Sequence, residues 1–360
     1  MKVNLITKHS SHNFGAMLQA YALQQTIKTI YDCKIIDYRP NNGGNKFKKI
    51  NSMSNIVNNI FTLLFHFQLK KGYERFNDFL KKEYDLTQRY NSIEELYKNI
   101  PFADTYVCGS DQIWNPLALN EVYFLKFAPK KSKKVSYAAS MGISYLPDKS
   151  IQVFNDYLKN IDVISVRESN AKEIIKPLTN REIYINVDPV FLLEKEIWKK
   201  IESPINIQKP YILCYLLYRP GWINKALKKL HKNTGLDIVV VTTDAYRNIY
   251  HNKIVRNAGP KEMIWLINHA EFVVSSSFHG VALSIVNQKP FFAVVNPDSP
   301  ARIRNILDVF GLQEREISTF EDIVFKEIDY STVEIKCLDE RRKALNYLKE
   351  NCVIRDEANL

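Results

Sequence analysis

The residues best placed for chemistry lie between Phe272 and Ser284: a short apolar run, three serines (Ser275, Ser276 and Ser277), then Phe278, His279 and Gly280 opening a helical pattern. In an open α/β sheet such a junction lies at the carboxyl edge of the strands, where the N–H groups of the next helix face the crevice. A histidine there is positioned to move a proton on or beside an anion. Ser276, Ser277 and Gly280 would hold that anion through hydroxyl and backbone groups.

Four further junctions carry similar chemistry. His12, Asn13 and Gly15 stand between the first apolar run and the first helical pattern, where free N–H groups suit an acceptor molecule. Gly15 is the only glycine there, which argues against the G-x-G-x-x-G of a dinucleotide site, although Asp37 closes the second run at roughly the ribose-binding distance. His9 and His12 have no acidic or cysteine neighbour in sequence to complete a metal site. Asp111 can accept hydrogen bonds from sugar hydroxyls and Trp114 can stack on a sugar face, while Ser110-Asp111 also suits an ordinary helix cap. Arg167 ends an apolar run and needs a partner there, either Asp188 or a substrate carboxylate or phosphate. Arg302 and Arg304 stand in the first turn of a helix, where they oppose its dipole unless an anion or a carboxylate is near.

Short apolar runs alternating with helical patterns must position these residues, and that alternation predicts parallel βαβ units. Strands are predicted at 3–7, 33–38, 105–108, 134–138, 163–166, 183–187, 211–217, 237–242, 272–274 and 290–294. The clearest helices are predicted at 16–30, 151–159, 222–233, 262–268, 281–287, 301–309 and 338–350. The resulting fold class is α/β, with two Rossmann-like domains facing a cleft. Residues 1–190 are expected to form the first domain with a helical insertion at 40–88 and residues 205–330 the second, with a helix within 335–360 crossing back to the first domain. The stretch from Asn41 to Asn45 reads as a mobile loop.

A chain of 360 residues exceeds the ~250–300 at which single cores stop growing. Its formal net charge of +11 suits phosphorylated ligands, nucleic acid or an anionic membrane surface. Five cysteines without a C-x-x-C pair point to reduced thiols rather than to zinc or disulfides. The first apolar run is too short for a signal peptide, so a cytoplasmic location is expected. No run reaches the ~20 apolar residues of a spanning helix. The nearest, 56–67, is bracketed by Lys46, Lys48, Lys49, Lys70 and Lys71, and suits either a core helix or one lying on an anionic leaflet.

Taken together, Asn13-Phe14-Gly15-Ala16-Met17-Leu18-Gln19-Ala20, Val107-Cys108-Gly109-Ser110-Asp111-Gln112-Ile113-Trp114, Ser165-Val166-Arg167-Glu168, Val187-Asp188-Pro189 and Ser276-Ser277-Phe278-His279-Gly280 resemble the polysaccharide pyruvyl transferase family. The resemblance extends from about residue 10 to about residue 312, with Arg302-Ile303-Arg304 before Gly311-Leu312. It implies the architecture of GT-B glycosyltransferases, phosphoenolpyruvate as donor, and a glycan or lipid-linked saccharide as acceptor, in exopolysaccharide or capsule synthesis for the cell envelope. On this reading His279 is the general acid and base, and no cofactor or metal is needed. Arg167, Ser276, Ser277, Gly280, Arg302 and Arg304 bind the donor, and His12, Asn13, Gly15, Asp111 and Trp114 bind the acceptor. The chain departs from many relatives at Ser277, where they carry an arginine that Arg167, Arg302 or Arg304 would offset.

Peripheral contact with the inner face of the cell membrane fits a lipid-linked acceptor. A nucleotide-sugar glycosyltransferase of the same architecture is the alternative. A non-catalytic glycan-binding or nucleic-acid-binding protein is disfavoured, because the lysines are dispersed rather than gathered on one face, and no nucleic-acid partner is expected.

Overall fold

The computed structural model describes residues 1–40, 53–245 and 248–353. Its strands form two parallel sheets. The first holds β1 (Lys2–Ile6), β2 (Asp32–Tyr38), β3 (Leu86–Tyr90), β4 (Thr105–Cys108) and β5 (Lys133–Ser136) in the order β3-β2-β1-β4-β5. A parallel pair, β6 (Ile164–Val166) and β7 (Ile183–Ile185), continues its edge through single bridges from Val135 to Val163 and from Ala139 to Val166. The second sheet holds β8 (Tyr211–Tyr215), β9 (Asp237–Val241), β10 (Lys253–Val255), β11 (Phe272–Ser275), β12 (Phe291–Val294) and β13 (Glu316–Ile317) in the order β10-β9-β8-β11-β12-β13.

Both orders are those of a Rossmann sheet, and in both the direction of winding reverses beside the first strand. The reversal falls between β1 and β4 in one sheet and between β8 and β11 in the other. Such switch points open a crevice at the carboxyl ends of the strands. The protein is thus an α/β fold of two Rossmann-like halves.

The helices of the first half are α1 (Phe14–Lys28), α2 (Met53–Leu64), α3 (His66–Glu83), α4 (Ile93–Lys98), α5 (Asp148–Leu158) and α6 (Ser169–Ile175). Those of the second are α7 (Lys195–Ile201), α8 (Ile223–Thr234), α9 (Pro260–Asn268), α10 (Phe278–Val286) and α11 (Ala301–Phe310), followed by α12 (Tyr330–Asn351). Helix α1 is buried along nearly its whole length, on the polar Gln19 and Gln24 as well as on its apolar residues. One contiguous core explains this: it passes from Leu5 of the first sheet through Met17 of α1, Phe191, Ile264 of α9 and Val281 of α10 to Val273 of the second sheet. Apolar surface on both halves is buried at their junction, which holds them together.

Two helices tie the halves further. Helix α12 leaves the second half, where the Tyr330 hydroxyl donates to the Lys289 carbonyl, and returns to the first. There Tyr347 Oη donates to the Ser136 carbonyl at 2.7 Å, and Thr105 Oγ1 donates to the Cys352 carbonyl at 2.6 Å. Arg75 of α3 donates to the Asn257 carbonyl at 2.7 Å and lies 3.2 Å from Glu262, in the first turn of α9.

The structure adds three strands to the sequence reading, β3, β10 and β13, all short and all at or beside a sheet edge. Edge strands bury one side only, so their apolar signal is weak. The expected insertion at 40–88 is therefore a crossover: α2 and α3 lead into β3, which pairs with β2 in parallel. The loop read at Asn41 to Asn45 lies outside the described residues. Among the described residues no helix is long and apolar enough to cross a membrane.

Candidate active site

Between the two sets of carboxyl ends lies a cavity of about 530 Å³. Lys8, Asn13 and Asp111 face it from the first half, and Ser276, His279 and Arg302 from the second. Helices α1 and α10 both begin at its wall, so their unpaired first-turn N–H groups are nearby.

His279 is a buried residue of this wall, and its Nε2 lies 3.4 Å from Asp188 Oδ2. That is an ion-pair distance without the alignment of a hydrogen bond, since Nε2 has no hydrogen-bond partner. Asp188 belongs to the first half and His279 to the second, so the pair exists only because the halves are packed together. Two other groups fix the carboxylate: Arg167 Nη1 donates to Oδ2 at 2.5 Å, and the Val190 N–H donates to Oδ1 at 3.1 Å. Burial alone would raise the Asp188 carboxyl, but the His279 ring and the Arg167 guanidinium outweigh it and hold the group well below the usual carboxylate range.

Gly15 determines where the imidazole can lie. A Cβ on Gly15 would fall 2.1 Å from His279 Nδ1, so only a glycine lets α1 approach the ring this closely.

Two cations face the cavity without a carboxylate at ion-pair distance among the described residues. Lys8 Nζ donates to the Gln112 carbonyl at 2.7 Å. The Arg302 guanidinium comes within 2.8 Å of the Gln112 amide oxygen once that amide is turned to satisfy both groups. Burial, and then the nearby Arg167 charge, depress the Arg302 guanidinium from its usual value. An anion in the cavity would relieve both effects.

Several expected site residues serve other ends. Arg167 was expected to bind the donor, yet it is 2% exposed and is held by Glu168 at 2.9 Å and by Asp188, with its guanidinium carbon 4.1 Å from the centre of the Phe278 ring. Its Nη2 is left without a partner, but Arg167 does not reach the cavity wall. A buried guanidinium needs carboxylates, and Asp188 and Glu168 supply them. Arg304 is exposed and pairs with Glu316 at 2.7 Å, pointing away from the cavity. Trp114 is fully buried, stacked on Phe124 with ring centres 5.1 Å apart, and donates its Nε1–H to the Tyr123 carbonyl. It offers no face to a sugar.

The remaining residues are divided. Ser276 faces the cavity, but its Oγ is engaged with both the N–H and the carbonyl of Tyr218, fastening the loop after β8. Ser277 Oγ caps α10 by accepting from the Gly280 N–H at 3.4 Å. Gly280 is required by packing, because a Cβ there would fall 2.2 Å from Ser275 Oγ. Asn13 Oδ1 caps α1 by accepting from Ala16 at 3.1 Å while the residue still faces the cavity. His12 is exposed at the rim and packs on Tyr73 and Phe76 of α3, with ring centres 4.3 and 5.5 Å away. Asp37 is not a ribose ligand; it is buried and shared by His9 and Arg39.

Lys8, Gln112 and the role of Asp188 toward His279 were not read from the sequence. Lys8 ends the first apolar run just as His279 follows the eleventh strand, so the strand-end rule was the signal available.

The comparison with curated proteins gives no match. In structure the chain is similar to UDP-GlcNAc 2-epimerase from Methanocaldococcus jannaschii, with a TM-score of 0.49, 12% identity, and coverage of 94% of this chain and 92% of that one. It is similar also to UDP-GlcNAc 2-epimerase from Neisseria meningitidis bound to UDP-GlcNAc, with a TM-score of 0.47, 10% identity, and coverage of 99% and 95%. For E. coli ADP-heptose lps heptosyltransferase II the TM-score is 0.39 at 12% identity, with coverage of 97% and 100%. Likenesses this distant carry no argument about the ligand. The family model for polysaccharide pyruvyl transferase matches residues 13–299, which include Asp111, Asp188 and His279, and the chain belongs to that family.

Proposed function

We propose that the protein forms a pyruvate ketal, moving the enolpyruvyl carbons of phosphoenolpyruvate onto two hydroxyls of a glycan or lipid-linked sugar and releasing phosphate. The observation that carries this reading is His279 on the wall of the cavity, with Asp188 behind it and Arg302 facing the same space. Family membership supports a polysaccharide as the acceptor.

The reaction needs a proton at C3 of the donor, which converts =CH₂ to CH₃ and leaves positive character at C2. A first hydroxyl attacks C2, phosphate departs, and a second hydroxyl closes the ketal. Of the two protons lost by the hydroxyls, one replaces the proton given to C3 and the other leaves with phosphate, so the atoms balance. A histidine can give the first proton and recover its replacement, which is typically worth about 10²–10⁴-fold. Asp188 holds the ring from behind, 3.4 Å from Nε2, while Gly15 lets α1 close against the Nδ1 side.

Arg302 takes the donor's carboxylate or phosphate, aided by Lys8 and the first-turn N–H groups of α10. Arg302 thereby offsets the arginine that Ser277 replaces. The acceptor sugar lies toward Asn13 and Asp111. Phosphoenolpyruvate as donor assigns the enzyme to the cytoplasm.

The test is phosphate release from phosphoenolpyruvate with free and lipid-linked glycans, with mass spectrometry for the added pyruvyl group. Release that depends on the acceptor and disappears in His279→Ala is the expected result. No release with any acceptor, together with thermal protection by a nucleotide sugar and none by phosphoenolpyruvate, would overturn the reading.

A further inference from the structure

Helices α2 and α3 present an apolar stripe that no part of the described chain covers. Ile60, Leu63, Leu64 and Phe67 are 50%, 66%, 68% and 85% exposed. Their spacing of three, one and three residues puts them on one face of a continuous helix. Helical hydrogen bonds do run through the junction, from the Phe65 N–H to the Phe61 carbonyl at 2.9 Å and from the Leu69 N–H to the Phe65 carbonyl at 3.0 Å.

The opposite face anchors the helix to the body of the protein. Leu69, Gly72, Phe76 and Phe79 are buried, and the Phe65 ring lies 3.9 Å from the guanidinium carbon of Arg256 in the second half. The stripe is thus held outward by a fixed helix.

Charge identifies what would cover it. Lys70 and Lys71 are exposed directly after the stripe, Lys70 with Glu74 3.9 Å away one turn further on, and the chain carries no Asp or Glu from residue 38 to residue 73. A large apolar stripe beside cations, with no carboxylate along that whole stretch, complements a uniformly negative surface with an apolar interior.

We propose that the stripe from Ile60 to Phe67, with Lys70 and Lys71, docks the protein on an anionic bilayer leaflet. The docked helix is also the one whose Tyr73 and Phe76 pack on His12 at the cavity rim, so docking brings that rim near the lipid surface, where a lipid-linked sugar would be held. That consequence rests on the proposed lipid-linked acceptor. The docking itself does not, since it is read as binding and not as catalysis.

The experiment is sedimentation of the full chain with vesicles of phosphatidylglycerol and phosphatidylcholine, against vesicles of phosphatidylcholine alone, with light scattering of the protein in solution. The expected result is binding to the anionic vesicles that weakens with added salt. It should fall about tenfold or more in Leu63→Ser/Leu64→Ser/Phe67→Ser, and about tenfold in Lys70→Gln/Lys71→Gln, with melting temperatures unchanged. No binding by the wild type, or equal binding by the triple variant, would overturn the proposal. So would a wild-type dimer that the triple variant converts to a monomer, because the stripe would then join two copies of the chain.

Discussion

His9 and His279 each follow a strand of a parallel sheet, and each meets an aspartate, Asp37 at 3.0 Å and Asp188 at 3.4 Å. In His9 both ring nitrogens are engaged: Nδ1 lies 3.1 Å from the Thr7 carbonyl and Nε2 faces Asp37, which Arg39 also holds. That cluster is 1% exposed at the histidine and lies within one half of the molecule. The His279 pair spans the two halves, borders the cavity, and lacks hydrogen-bond alignment at Nε2. The difference separates a pair enclosed within one half from a pair that borders the cavity and exists only through the packing of the two halves. A fully satisfied buried cluster resists change, whereas a loosely aligned one beside a cavity can exchange a proton with a bound molecule.

Substitutions should divide along this line. The largest effect is expected of His279→Ala, with kcat of the folded enzyme in acceptor-dependent phosphate release reduced by about 10²–10⁴-fold. Gly15→Ala comes next, because its methyl must displace the imidazole. Loss of about 10²-fold in kcat, with a stability cost of about 1–3 kcal/mol in denaturant unfolding, would show that the close approach of α1 sets the ring's position. Arg302→Ala should raise KM for phosphoenolpyruvate by about tenfold or more, the loss of one charge-assisted hydrogen bond to an anion. Its neighbour in the pattern, Arg304→Ala, should leave kcat/KM unchanged, since an exposed ion pair contributes about 0–1 kcal/mol and nothing to the cavity.

His9→Ala tests the other pair. It should keep the turnover of the folded enzyme and lower its stability by about 1–3 kcal/mol at neutral pH, by leaving Asp37 short of a partner. Burial would raise the Asp37 carboxyl, but His9 and Arg39 outweigh it and lower the group overall. A carboxyl lowered on folding gives stability that is present above the unfolded value of about 3.9 and is lost as pH falls through the folded value. The cost of His9→Ala, measured by denaturant unfolding against pH, should therefore shrink below about pH 4. A constant cost across that range would show that Asp37 plays no part in it.

Much of the fold was legible because buried parallel strands are dense apolar runs. All ten predicted strands exist, and the helix predicted at 262–268 begins at Pro260 with Glu262 accepting from the Gly259 N–H. The strands that escaped reading are edge strands such as β3, whose sequence Leu-Thr-Gln-Arg-Tyr lacks a continuous apolar signal. The candidate site was legible as a set of strand ends but not as a set of roles. Trp114 illustrates this: an aromatic after a strand end can face a sugar or fill a core, and here Phe124 and Phe154 enclose it.

The sequence by itself determined that there would be parallel sheets, that His279 would stand at a carboxyl edge, and that the distinctive residues would gather at strand ends. Local periodicity and strand-to-helix junctions carry that information, because they depend on neighbours a few residues apart. The expectation that Arg302 and Arg304 both bind the donor does not survive helix geometry, since residues two apart in a helix stand about 200° apart around its axis. Which of them faces inward was decided by where α11 lies against the cleft. The tertiary structure alone decided that Arg167 would be enclosed by Glu168 and Asp188, and that Asp188 would cross to His279 from the other half of the molecule. The first choice depends on the pairing of β6 with β7 and the second on how two separate sheets pack around a shared core, and no local pattern records the distance between residues that only tertiary packing brings together.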